Sequence, residues 1–253
     1  MGCAQLRRPR AACLWGRSGL LLGGCAPRRV DISLLPPRIA TVDTSTAPAP
    51  EVFWYEPFDV LDSARWREVE VRRHNQYRAS ELDGRRCLEA SSRDSASIML
   101  TTVQVDPGAY AWLSWEWRVE TFVEGEALER KDGSDAAARV YVYFDTKGLP
   151  WQKRSLDYVW SKSLPVGTVM NSAFSPQSKI IVAESGETTG EWRKVSRNVR
   201  ADYLRAFKGP APDIIAIGVM NDADNSHGEA LAYFDELTVS RQQTPPAQPH
   251  TTP

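Results

Sequence analysis

Histidine and cysteine are scarce in this sequence, with three and four among 253 residues. His74 follows two arginines, His227 sits in an acidic stretch and His250 lies near the carboxyl end. None belongs to a Gly-x-Ser-x-Gly elbow or a Cys/His zinc spacing, and no phosphate loop or dinucleotide fingerprint is present, which excludes the common nucleophile-elbow, zinc and nucleotide-cofactor enzymes. A charge excess is missing too: 31 basic residues face 32 acidic ones. Without a basic surplus the chain has no electrostatic footprint for a phosphate backbone, so nucleic acid is not an expected partner. Cys3, Cys13 and Cys25 all fall in the first 25 residues. Only Cys87 remains, so no disulfide can form within the rest of the chain. Cys87 lies in a strand-like Arg-Cys-Leu-Glu-Ala run and reads as a small buried hydrophobe, not a nucleophile.

What is present begins with a basic, apolar and small-residue order. Arg7, Arg8, Arg10 and Arg17 precede Gly-Leu-Leu-Leu-Gly-Gly at 19–24 and then Cys25. This resembles the lipobox of bacterial lipoproteins, in which the cysteine is acylated and becomes the mature first residue. The expectation is a signal segment over 1–25 with lipid on Cys25, which places the protein in the cell envelope, exported and anchored to a membrane. The apolar stretch is short, and an ordinary or absent signal is the alternative. Residues 26–50 carry five prolines among threonines and serines and read as a flexible tether. Residues 242–253 show no apolar periodicity and read as a disordered tail. One domain is expected over 51–241.

Within it, apolar residues alternate with polar ones. Leu113, Trp115, Trp117 and Val119 share one face of a strand, and Ser114, Glu116 and Arg118 share the other. Val140, Val142 and Phe144 repeat the pattern, as do Ile215, Ile217 and Val219. Further strands are expected at 67–71, 86–90, 97–102, 179–183, 192–198 and 231–240. The one helical stretch is 199–207, with Val199, Tyr203, Ala206 and Phe207 on one face and Asp202 and Arg205 off it, stopped by Gly209-Pro210. About ten short strands and one short helix predict an all-β, antiparallel sandwich of jelly-roll type, with a closed barrel as the alternative.

Three polar clusters are candidates for chemistry. Asn-Asp-Ala-Asp-Asn-Ser-His-Gly at 221–228 presents alternating carboxylates and amides in a turn. Asp222, Asp224 and Asn225, with Asp235 from the following strand, are candidate ligands for a structural calcium, although the spacing is not that of an EF-hand. A solvated hairpin loop is the plainer reading. Asp135 leads through three alanines to Arg139 and Tyr141, a grouping that either forms a sugar-binding or catalytic surface or is a surface ion pair. Glu116 and Glu120 share a face but stand roughly 13–14 Å apart along the strand, too far for a glycosidase pair. Tyr158 and Trp160 are candidates for stacking on a ligand, with burial in the core as the other reading.

Five motifs occur in order: Leu-Ser-Trp-Glu-Trp-Arg-Val-Glu (113–120), Asp-Ala-Ala-Ala-Arg-Val-Tyr-Val-Tyr-Phe-Asp (135–145), Leu-Asp-Tyr-Val-Trp (156–160), Val-Met-Asn-Asp-Ala-Asp-Asn-Ser (219–226) and Ala-Tyr-Phe-Asp-Glu-Leu (232–237). Together they resemble a bacterial family known only as domain of unknown function 3047, over roughly 53–239. The resemblance implies export and an envelope location but no reaction. Phe58-Asp59 with Trp66, and Tyr233-Phe234-Asp235, are also similar to the opening and closing pieces of jelly-roll carbohydrate-binding modules. The leading expectation is a non-catalytic module that binds a glycan or another envelope component. An enzyme acting on polysaccharide through Asp135, Arg139, Tyr141, Asp222 or Asp224 is the rival, and a structural part of an envelope complex is the third reading.

Overall fold

A computed structural model describes residues 51–149 and 152–243. Cys25, the signal-like segment, the tether and nearly all of the tail lie outside the described residues.

The strands are β1 (Val52–Glu56), β2 (Arg67–Arg72), β3 (Gln76–Leu82), β4 (Arg85–Arg93), β5 (Ala96–Val105), β6 (Trp112–Thr121), β7 (Ala138–Phe144), β8 (Ser155–Ser161), β9 (Val169–Asn171), β10 (Ser178–Ser185), β11 (Arg193–Asn198), β12 (Ile214–Met220) and β13 (Glu229–Ser240), and α1 spans Val199–Phe207. They form a two-sheet β-sandwich of jelly-roll type. One sheet has the order β11-β6-β13-β4-β3, with β1 also paired to β13, and the other has the order β2-β5-β12-β7-β8-β10-β9. The chain is not wholly antiparallel as expected, because β10 runs parallel to β8. The chain leaves β8, runs along the sheet edge as β9 and turns back as β10 between the two. Parallel neighbours are never joined by a hairpin, so the turns at 165–168 and 175–178 do not reveal that β8 and β10 are paired.

Alternation explains the core. Trp115 and Trp117 of β6 point inward and meet Tyr158 and Trp160 of β8 from the opposite sheet, with centroids 5.4 Å apart for Trp115–Tyr158 and 5.8 Å for Trp117–Trp160. Trp115 and Trp117 themselves pack edge to face at 5.2 Å. Each such pair contributes about 0.5–1.5 kcal/mol beyond the area it buries. Tyr158 and Trp160 are fully buried, which corrects their candidacy as ligand-stacking aromatics: Tyr158 donates its hydroxyl to Asp202 at 3.0 Å and Trp160 donates Nε1 to the Gly186 carbonyl at 2.9 Å. On β12, a Cβ on Gly218 would come within 2.4 Å of Leu100 Cδ2 and 3.0 Å of the Met99 carbonyl. Glycine is required there so that Leu100 can lie across its neighbour.

α1 occupies the stretch that the periodicity marks, capped at its start by Asn198, whose side chain accepts from Ala201 N at 2.9 Å. Asp202, expected off the buried face, is instead buried. Arg197 clamps both of its oxygens, and Tyr158 reaches one of them. A carboxylate with three charge-assisted or hydroxyl donors can enter a core that an unpaired one could not. Among the described residues, no helix is long and apolar enough to cross a membrane.

Candidate functional site

The acidic 221–228 stretch links β12 to β13, and its first member ties the two sheets together. Asn221, fully buried, donates Nδ2 to the carbonyls of Ala90 on β4 and Ala230 on β13, and its own carbonyl accepts from Asn75 Nδ2 at 2.6 Å. Beyond it, oxygens of Asp135, Asp222 and Asp224 lie within 4.8 Å of one another, all buried. The turn that brings Asp135 there depends on Gly133, where a Cβ would stand 2.9 Å from both the Ala127 Cβ and the Gly125 carbonyl. Fully buried Ala136, Ala137 and Ala138 then admit Asp222, whose Oδ1 accepts from Ala136 N and Arg139 Nε, both at 2.8 Å. The small residues thus make room for a neighbouring loop of the same chain.

Arg139 joins this cluster to β8. Its Nη1 bonds Asp157 Oδ2 at 2.5 Å and its Nη2 the Ser134 carbonyl at 2.9 Å. Arg139 is 2% exposed and Asp157 2%, so Arg139 makes no surface pair; its ion-pair partners are the buried Asp157 and Asp222, not the Asp135 expected from the sequence. Burial, reinforced by the charge of Asp135, outweighs the pull of Arg139 and raises the Asp222 carboxyl to about 8. Burial also raises Asp157, and raises Asp224 with Asp135 adding to it. Tyr141 stands opposite Asp157 across the β7–β8 ladder and stacks on Tyr143 with centroids 5.9 Å apart and planes 16° apart. Burial and then the Asp157 charge hold its hydroxyl well above the ordinary tyrosine range.

The fold brings Asp135, Arg139, Asp222 and Asp224 together, with Tyr141 opposite Asp157 beside them, and Asp135 is tied to the 221–228 stretch by hydrogen bonds. Asp135 accepts from Asn225 N and Nδ2 on one oxygen and from Ser226 N on the other. Asn225 also turns Nδ2 to Asp224 at 3.1 Å, so it acts as a donor and not as the carbonyl ligand expected of it. Asp235 is absent from the cluster, because it lies about 20 Å further along β13 from its start and bonds Arg85. Calcium takes six to eight oxygens; here both Asp135 oxygens, Asp222 Oδ1 and Asp224 Oδ1 already accept hydrogen bonds from the chain.

A second grouping lies on the outward face of the β6–β13–β4 sheet, where the sequence placed Glu116 but not its neighbour. Glu116 pairs across the ladder with Asp235. Arg85 of β4 bonds both, reaching Glu116 Oε2 at 2.6 Å with Nη1 and Asp235 with Nε. Trp192, half-buried, lies over the Arg85 guanidinium at 4.2 Å. Cys87 sits beneath, fully buried, with its thiol raised to about 11 by burial, so it is protonated at neutral pH. Burial outweighs Arg85 and lifts Asp235 to about 6. Arg118, Lys194 and Glu120 surround this floor, all partly exposed. The only sequence signal for the grouping was the polar parity of β6 and β13, because the contact between Glu116 and Asp235 is set by sheet order.

The family model described as "Protein of unknown function (DUF3047)" matches residues 64–238. No curated protein matches the chain. Similar solved structures include the Family 11 carbohydrate-binding module of cellulosomal cellulase Lic26A-Cel5E of Clostridium thermocellum, at 8% identity and TM-score 0.42 over 75% of this chain and 95% of that one. They also include the cellulose-induced protein Cip1, at 10% and 0.43 over 75% and 97%. A third is the xyloglucanase domain of NopAA from Sinorhizobium fredii in complex with cellobiose, at 9% and 0.41 over 74% and 99%. Likeness at this level does not extend to side chains or ligands.

Proposed function

The chain belongs to the DUF3047 family, and from that premise we propose that its sandwich is a glycan-binding module held at the cell envelope by a lipid on Cys25. The observation that carries the binding half is Trp192. Its ring is supported from behind by Arg85, and Arg85 is in turn fixed by two buried carboxylates. A half-exposed indole packed on a fixed guanidinium offers its ring to a sugar face, and the charged side chains around it offer hydrogen bonds to hydroxyls. The envelope half rests on the order of basic residues, leucines and glycines before Cys25.

Screening the mature chain on a glycan array and titrating the best ligand is expected to yield binding that Trp192→Ala weakens at least about thirtyfold, the effect of losing a central aromatic anchor. Binding unchanged by Trp192→Ala, or no glycan bound at all, counts against this reading. The anchor is checked by fatty-acid labelling in cells, which Cys25→Ala must abolish.

A second reading, an enzyme acting on polysaccharide, is favoured by one observation. Opposed residues of an antiparallel pair have Cβ atoms about 4.5–5.5 Å apart, and a retaining glycosidase places its carboxyls about 5–5.5 Å apart. Glu116 and Asp235 are opposed across the ladder and share the Arg85 guanidinium, which puts their carboxyls on one face, with Asp235 raised to about 6. Reducing ends released from the bound polysaccharide, and lost in Asp235→Asn while binding persists, distinguish the enzyme from the module.

A further inference from the structure

A cleft of about 600 Å³ opens between the β7–β8 connection and the end of α1, lined among others by Lys147, Gln152, Arg154, Gln177 and Tyr203. Its volume falls in the range of small-ligand sites. We propose that this cleft binds a carboxylated sugar residue, a uronate, through Arg154 and Lys147. The proposal is independent of the Trp192 face, since none of these residues belongs to that sheet surface.

The charge of the cleft is one-sided. Its one acid, Asp145, is already neutralised by Lys153 Nζ at 2.8 Å. Neither Arg154 nor Lys147 has an ion-pair partner among the described residues. Arg154 is nonetheless held in place: Nη1 bonds the Tyr203 hydroxyl at 3.0 Å and the guanidinium lies 4.8 Å above the Phe207 ring. Lys179 lies over the same ring at 5.6 Å, adding a further positive charge nearby. Guanidinium has five N–H donors in a fixed fork. With one used on Tyr203, the remaining edge can take a carboxylate in two parallel bonds, as lysine alone cannot. The side-chain oxygens of Gln152 and Gln177 already accept from Leu149 N and the Ser175 hydroxyl, which orients both amides and leaves their N–H groups to donate to ring hydroxyls. A cationic fork beside two amide donors thus matches an acid and its neighbouring hydroxyl oxygens on one sugar ring.

Titration calorimetry of the full chain tests this with tri-uronides of galacturonate, glucuronate and mannuronate, the methyl ester of whichever binds, and inorganic sulfate. One acid is expected to bind, with affinity falling as salt rises, and both its methyl ester and Arg154→Gln are expected to weaken it about tenfold or more. Lys147→Gln provides a second variant at an exposed position with no ion pair to break, and it is expected to weaken binding in the same direction. The proposal is overturned if no acid binds, if the ester binds as well as the acid, or if sulfate competes as well as the tri-uronide, which marks an anion site without sugar recognition. It is overturned equally if Trp192→Ala removes uronide binding while Arg154→Gln and Lys147→Gln leave it intact, an outcome that supports the sheet-face reading instead.

Discussion

Replacing Arg139 with methionine is expected to destabilise the domain by about 3–5 kcal/mol at pH 8.5, the cost of removing one partner from a buried ion network. The reason is the number of groups that depend on one side chain. Arg139 bonds Asp222, Asp157 and the Ser134 carbonyl from a site 2% exposed. Methionine fills a similar volume, so packing is preserved and the loss isolates the charge. Asp157 and Asp222 are then left without their cation in a low-dielectric setting and must take up protons to remain buried. The penalty should therefore shrink at pH 5.5, where protons are available. Arg139→Lys should fall between, because an ammonium keeps the charge but cannot reach three acceptors in the fixed directions of a guanidinium. Urea unfolding of all three chains at both pH values measures this. A loss below about 1 kcal/mol at pH 8.5 in Arg139→Met, typical of an exposed pair, would show that the network is not holding the domain together.

The importance of Arg139 was only partly visible before the fold was known. Its neighbours Asp135 and Tyr141 are close in sequence, and Asp222 stood out as part of a dense acidic stretch. Asp157 did not stand out, because it sits alone in the apolar Leu-Asp-Tyr-Val-Trp run and becomes a partner only when β8 is laid beside β7. Burial was the other missing quantity. Alternation tells which residues share a face, but it cannot tell whether the outward face is covered. For that reason Arg139 was compatible with a surface pair, and Tyr158 and Trp160 were compatible with either ligand contact or core. The same limit applies to Glu116. Within its own strand it has only Glu120, too distant to act with it, whereas its true partner Asp235 is supplied by the sheet order β6-β13. Local pattern marks nine of the thirteen strands, all but β1, β3, β8 and β9, and the limits of α1. The pairs that carry chemistry are non-local, and they depend on a topology that includes one parallel crossover, which no turn residue can announce.

Stability should fall as pH rises from about 5 to 8.5, the second large effect expected of the carboxylate cluster. Asp222 has an ordinary carboxyl value of 3.8 when unfolded and about 8 when folded. The folded chain therefore retains a proton that the unfolded chain has released, and the stability this contributes is complete below the unfolded value and lost as pH passes through the folded one. Asp222 faces Asp135 and Asp224 from the loops and Arg139 from β7, with Asp157 of β8 beyond Arg139 and Arg72 of β2 on the Asp224 carbonyl. Asp157, Asp224 and Asp235 are raised as well and act with the same sign. Asp94, held low first by His227 and then by Arg73, acts oppositely, but pairs at a surface contribute little. Each unit of displacement corresponds to about 1.4 kcal/mol, so the loss across this window is on the order of 2–4 kcal/mol. Asp222→Asn keeps an oxygen that can accept from Ala136 N and Arg139 Nε but removes the titration, and it should flatten most of the slope. A mutant profile as steep as that of the parent chain would assign the proton to another member of the cluster. A parent profile that is flat from pH 5 to 8.5 would mean that the carboxylates are held charged, with the arginine prevailing over burial.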